Sequence, residues 1–189
     1  MLLTLSKAPA QAAGHWTTGA LASNNVEDVM PALSSTHLLW AQADGDAWNV
    51  RLRELSTGTT KTIVANVPSG SHVRPPSVGI GGDYVTVLGS EAEEWYLYRI
   101  SSATSRTFPT PSGTEIDAVG TDGRYMTAVF DDGDREILVL DLAANRWIQV
   151  TNNDDDDYLG GVCNDRLVFG RRTADGAHSV IVYDLSDGS

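Results

Sequence analysis

One phrase recurs four times along the chain: an alternating apolar stretch, a short polar turn, then a second apolar stretch. Each copy ends on a polar or acidic residue, an aliphatic and a small residue. The endings are Glu54-Leu55-Ser56, Arg99-Ile100-Ser101, Asp141-Leu142-Ala143 and Asp184-Leu185-Ser186. Their aliphatic positions lie 45, 42 and 43 residues apart. One small sheet cannot bury its own faces, so a repeat of this length marks a circular or stacked array of sheets. The expectation is an all-β chain, a β-propeller of four blades with about four antiparallel strands in each.

Within a unit the strands run A to D. Strand A is small and apolar: 29–33, 76–80, 116–120 and 158–162. The A–B turns of units two to four are Gly81-Gly82-Asp83, Asp122-Gly123-Arg124 and Asn164-Asp165-Arg166. Their Gly and Asn residues tolerate the positive φ that tight hairpins require. Strand B (38–41, 84–88, 125–130, 167–169) is more apolar. Strand C (48–55, 95–100, 137–142, 180–185) alternates most clearly. Strand D (61–64, 106–108, 146–150) is polar, as suits an outer edge.

The fourth unit has no D strand of its own, whereas Met1-Leu2-Leu3-Thr4-Leu5 is an apolar stretch with no unit to belong to. Reading the end of the chain into its beginning completes the fourth blade and removes an open sheet edge. The expected organisation is a closing strand over 1–8, an irregular insert over 9–27, and blades over 28–68, 69–112, 113–154 and 155–189. Trp16, inside the insert, is expected to pack on one face of the ring.

Composition narrows the function classes. A net charge of −12 argues against duplex nucleic acid and anionic membranes, which need Lys/Arg clusters. Arg171-Arg172 is the nearest approach to a basic block and reads as a solvated turn edge. No apolar run approaches the roughly 20 residues of a membrane-spanning helix. The N-terminal apolar stretch lacks the basic start and the length of a secretion signal, so it reads as structure. Cys163 is the single cysteine and is expected to be a small buried hydrophobe.

Thr121-Asp122-Gly123-Arg124-Tyr125 followed by Asp141-Leu142, with Asp184-Leu185-Ser186-Asp187-Gly188 behind it, resembles the TolB-type β-propeller repeat. The resemblance covers most of residues 28–189. It implies an interaction platform and, in bacteria, an extracytoplasmic setting. Such repeats also form lids on serine peptidases, but this stretch contains no Gly-x-Ser-x-Gly nucleophile motif.

Strands that alternate up and down bring the B–C turns and D–A connections to one face. That face collects Glu27, Asp28, Asp44, Asp46, Glu91, Glu93, Glu94, Glu115, Asp117, Asp131, Asp132, Asp134, Asp154 to Asp157 and Asp175, most of the 25 acidic residues. Three readings compete. Acidic loops aid solubility. Oxygen ligands suit calcium, with Asp131, Asp132, Asp134, Asp154 and Asp156 as candidates, although their spacing is not that of an EF-hand. An acidic face also steers a basic protein partner, or a second copy of the chain, into contact.

At the channel mouth the candidate binding residues are Asp28, His72, Arg74, Asp117 and Asp157, all at or before A-strand starts. The favoured function is a non-enzymatic interaction or assembly module without a cofactor. The rival is a glycosidase-like propeller using Asp117 and Asp157 as a carboxylate pair. His15, His37, His72 and His178 are too scattered to resemble a metal-ligand set.

Overall fold

Alternating Val, Leu, Ile and Trp positions broken by short Gly/Asp turns leave the chain little choice but antiparallel strands, and the fold is all β. The computed structural model describes residues 26–68, 75–89, 94–109, 115–131 and 133–187. Blade 1 is β1 (Asp28–Leu33), β2 (His37–Asp44), β3 (Ala47–Glu54) and β4 (Thr60–Pro68). Blade 2 is β5 (Ser77–Gly81), β6 (Tyr84–Leu88), β7 (Glu94–Arg99) and β8 (Thr104–Pro109). Blade 3 is β9 (Glu115–Thr121), β10 (Tyr125–Asp131), β11 (Arg135–Asp141) and β12 (Arg146–Gln149). Blade 4 has β13 (Asp156–Cys163), β14 (Arg166–Arg172) and β15 (His178–Asp184), and the strands of each sheet pair in sequence order.

Each strand presents alternate residues to opposite faces, so an internal blade needs an apolar set on both. Leu39, Ala41, Trp48, Val50 and Leu52 of blade 1 meet Val85, Val87 and Tyr98 of blade 2. Leu88, Trp95 and Leu97 on the other side of blade 2 meet Met126, Ala128 and Leu140 of blade 3. Tyr125, Val129, Ile137 and Val139 then meet Leu167 and Phe169 of blade 4. Each such aliphatic or aromatic side chain contributes about 1.5–3 kcal/mol when removed from water.

The inner strands touch through glycine. A Cβ on Gly79 of β5 would come within 3.1 Å of the Gly120 Cα in β9. At Gly81 it would collide with the Thr121 carbonyl oxygen, so this turn fits against blade 3 only without a side chain. Inner strands β1, β9 and β13 each carry a bulge, at 29–32, at Asp117 and at Gly160, which shifts the register partway along the strand.

Among the described residues the blades form an open arc. Blade 4 packs on blade 3, and among the described residues no strand of blade 4 makes an extensive contact with blade 1. The outer face of blade 4 therefore exposes Val168, Val180 and Val182, the last two at 78% and 59%. Cys163 is exposed rather than buried. It pairs with Arg166, whose side of the sheet continues through Val168 and Val182, the face that has no neighbour. The expected closing strand (1–8) and Trp16 lie outside the described residues.

Candidate functional site

The densest cluster of ionisable groups sits where blade 3 passes to blade 4, on the face of the B–C turns. It forms because β13 and β14 pair in a register that sets Asp156 opposite Arg172 and Asp157 opposite Arg171. Asp157 is fully buried. The Arg171 guanidinium grips it in a fork, Nε to Oδ1 at 2.8 Å and Nη2 to Oδ2 at 3.0 Å, and the Asn153 amide donates to Oδ2 at 3.1 Å. Two parallel N–H donors match a carboxylate well. The hydrogen bond from Arg171 to Asp157 raises the arginine's pKa, against the opposing effect of burial.

Asp156 faces outward on the same strand. Arg172 pairs with it, the Tyr158 hydroxyl donates to it at 3.3 Å, and Arg135 stands 4.0 Å away. Partial burial works against its charge, but the Arg172 hydrogen bond and field hold its carboxyl below the ordinary carboxylate range. The guanidinium groups of Arg135 and Arg172 both lie over the Tyr158 ring, at 5.1 and 5.9 Å from its centre.

Glu136, at the start of β11, is buried to within 2% of full enclosure. Its Oε1 accepts from the Asn153 backbone N–H, whereas Oε2 has no hydrogen-bond partner among the described residues. Burial pushes its pKa up, and the negative fields of Asp134 and Asp157 add to the rise; contacts with Thr151 and Asn153 offset part of it.

The residues expected at the channel mouth meet different fates. Asp28 is held within blade 1, where the Trp40 indole N–H (2.9 Å) and the Gln42 amide (3.0 Å) both donate to its Oδ1. Asp117 occupies the bulge of β9. His72 and Arg74 lie outside the described residues. Asp157 has both oxygens engaged as above. Of the expected calcium ligands, Asp131 accepts from the Gly133 N–H of its own turn, Asp156 is held by arginine, and Asp132 lies outside the described residues. Among the described residues no group of three or more His, Cys, Asp or Glu side chains is arranged to hold a metal ion.

Arg171 and Arg172 are the residues that sequence reasoning missed. They are strand residues locked to acids, not a solvated turn edge. The signal was present: counting back along the hairpin from Asn164-Asp165, with one bulged residue, sets the pair Asp156-Asp157 opposite Arg171-Arg172.

At the A–B turns and the repeat endings three acids are paired with arginine: Asp83 with Arg99, Asp165 with Arg124, Asp184 with Arg166. Others cap turns, as Asp141 does for the N–H groups of Ala143 and Ala144. On the B–C face Asp44, Asp46, Asp131, Asp134, Asp154 and Asp175 join the blade-4 cluster, and the arginines there, Arg135, Arg171 and Arg172, are drawn into that cluster.

No protein-family model matches the chain, and no curated protein matches it in sequence. Solved structures do match it in fold. TolB from Acinetobacter baumannii superposes with a TM-score of 0.67 at 16% identity, over 89% of this chain and 44% of that one. A putative TolB from Agrobacterium tumefaciens gives 0.60 at 17% identity, over 82% and 59%. Oligopeptidase B from Leishmania major gives 0.69 at 10% identity, over 89% and 27%. The fold is thus that of the TolB-type β-propeller, and the chain spans between about a quarter and three fifths of the length of these three structures.

Proposed function

We propose that the chain is a propeller interaction module that docks a basic protein partner on its B–C face. The observation that carries this reading is where the acids fall: Asp44, Asp46, Asp131, Asp134, Asp154 and Asp175 stand at the B–C and D–A ends of the strands beside those that Arg135, Arg171 and Arg172 engage, so that acids outnumber arginines there. Such a surplus raises encounter rates with a positively charged surface, and its effect falls with salt. The fold itself is neutral on this point, since it occurs in TolB and in an oligopeptidase alike. For the glycosidase-like alternative no geometric observation speaks, because Asp157 is tied by Arg171 and Asn153.

The test is a charge swap between faces, with an oligolysine peptide as the probe. Asp46→Asn with Asp154→Asn is expected to lower its affinity and flatten the salt dependence. The same change of charge on the opposite face, Glu54→Gln with Asp187→Asn, is expected to do less. Equal losses from both pairs would mean that the peptide senses only net charge, and the proposed docking face would be abandoned.

A further inference from the structure

Three of the four repeat endings begin on an acid, and the second begins on Arg99. In those three the acid caps its own turn. Glu54 accepts from the Ser56 and Thr57 hydroxyls, Asp141 from the Ala143 and Ala144 N–H groups, and Asp184 from the Ser186 N–H. In blade 2 the cap comes instead from Asp83 of the A–B turn, which accepts from the Ser101 N–H and hydroxyl at 2.8 and 2.5 Å. Position 99 is thereby released from capping and carries the opposite charge. Arg99 Nε donates to Asp83 at 2.8 Å, and its two Nη groups hold donors that this bond does not use.

The register of blade 2 sets a second arginine beside the first. Tyr84, Arg99 and Thr104 lie opposite one another on β6, β7 and β8, and Arg106 lies opposite Leu97. Opposed residues, and residues two apart along a strand, share a face. That face is the one toward blade 3, because Leu97 is buried there with Met126 and Leu140, and Leu142 packs on the same cluster. A cleft of about 280 Å³ opens at this corner, with Tyr84, Leu97 and Leu142 as its apolar wall and no acid in its lining. Its polar wall is Arg99, Thr104, Ser105 and Arg106. The Arg106 guanidinium lies 4.7 Å from the centre of the Phe108 ring and forms no ion pair among the described residues.

We infer that this cleft between blades 2 and 3 binds a carboxylate carried on a small apolar body, with Arg99 and Arg106 taking its oxygens. Guanidinium N–H donors fit the plane of a carboxylate. Asp83 offsets one of the two arginine charges, so the surplus suits a monoanion better than a doubly charged phosphate. A chain of net charge −12 also repels polyanions at a distance. The wall of Tyr84, Leu97 and Leu142 gives hydrocarbon a place that an inorganic anion would not use. The volume is at the small end for ligand pockets, which limits the occupant to a short molecule or the last residue of a longer one. Two sources share this chemistry: a free carboxylic acid, and the C-terminal carboxylate of a peptide that ends on an apolar residue.

The test is amide NMR of the full chain titrated with hydrocinnamate, with the neutral hydrocinnamide as control and acetyl-Gly-Gly-Phe as the chain-end probe. Saturable shifts of the Thr104, Ser105 and Arg106 amides are expected with the free acid or the peptide, and none with the neutral amide. Arg106→Gln removes a charge from an exposed side chain and leaves the core intact. It is expected to weaken binding about 10-fold, the loss of one charge-assisted hydrogen bond. Lys61→Gln removes the same charge at the matching position of blade 1, opposite Leu52, and is expected to leave the affinity unchanged. Tighter binding of the peptide assigns the cleft to chain ends, and tighter binding of hydrocinnamate assigns it to free acids; both sustain the inference. No saturable shift with either acid, equal shifts with the neutral amide, or equal effects of Arg106→Gln and Lys61→Gln would overturn it.

Discussion

Among the described residues blade 3 is packed on both faces and blade 4 on one, although both are built from the same repeat with the same turns. In blade 3, Leu140 is buried against blade 2 and Val139 against blade 4. In blade 4, Leu167 is buried against blade 3, while Val182 on the opposite face of the same sheet is exposed. Alternation along a strand sorts side chains to two faces; it does not say whether a neighbour waits on each. In a repeat array that second fact belongs to position in the array, and the end blade is where it shows.

The largest expected effect lies at the junction of the two blades. Arg171→Ala leaves Asp157 buried with its fork of donors removed, and breaking a buried pair in this way costs about 3–5 kcal/mol. Arg171 keeps a quarter of its side chain in contact with water, so the lower end of that range applies. Thermal or urea unfolding checks it. A loss under about 1 kcal/mol would mean that water reaches Asp157 and that the junction is looser than its geometry indicates.

Next comes Leu140→Ala in the doubly packed blade, for which a large-to-small change in a core costs about 2–5 kcal/mol. Leu167→Ala on the inward face of blade 4 is expected to match it, since both side chains are all but fully buried. A Leu167→Ala cost well below that of Leu140→Ala would show that blade 4 is loosely held on both sides. Gly81→Ala follows, at about 1–3 kcal/mol, because its Cβ collides with the backbone of Thr121 and Asp122 rather than with a side chain that can swing away.

Glu136→Gln runs the other way. A carboxyl whose pKa is raised in the folded state supports the fold below its ordinary value of 4.5 and loses that support as pH rises through the folded value. Replacing it by a neutral amide that still accepts from the Asn153 N–H is therefore expected to stabilise the protein near neutral pH. The gain is on the order of 1 kcal/mol, because the buried charge is removed, and it shrinks as pH falls toward 4. Melting temperatures of both proteins between pH 4 and 8 give the difference directly; a gain that does not vary with pH would locate its origin outside Glu136 ionisation.

Much of this architecture is legible from residue pattern. The fifteen described strands fall where period-2 alternation and Gly/Asp/Asn turns put them, with ends displaced by a few residues; β6 runs from Tyr84 to Leu88 in both readings. What escaped is whatever depends on cross-strand register and on the end of the array. Arg171 and Arg172 read as surface charge until β13 is set against β14. Cys163 reads as core until blade 4 is seen to lack a neighbour. The fates of Asp28 and Asp157 depend on Trp40, Gln42 and Arg171, partners twelve to fourteen residues away in sequence, so a strand-start position could not reveal them.

Val182→Ala has the smallest expected effect and separates two states of the open face. With the face bare, the side chain already meets water over 59% of its surface, and its loss is worth a few tenths of a kcal/mol, as for other surface substitutions. With a cover seated on it, the valine becomes a contact between the sheet and that cover, and the cost rises toward about 1 kcal/mol, roughly that of the two methyl groups removed from a partly buried site. The paired change Leu140→Ala calibrates the measurement, because its neighbour on blade 2 is fixed. A Val182→Ala cost close to 1 kcal/mol makes blade 4 a blade packed on both faces, like blade 3; a cost near zero keeps its valine face bare.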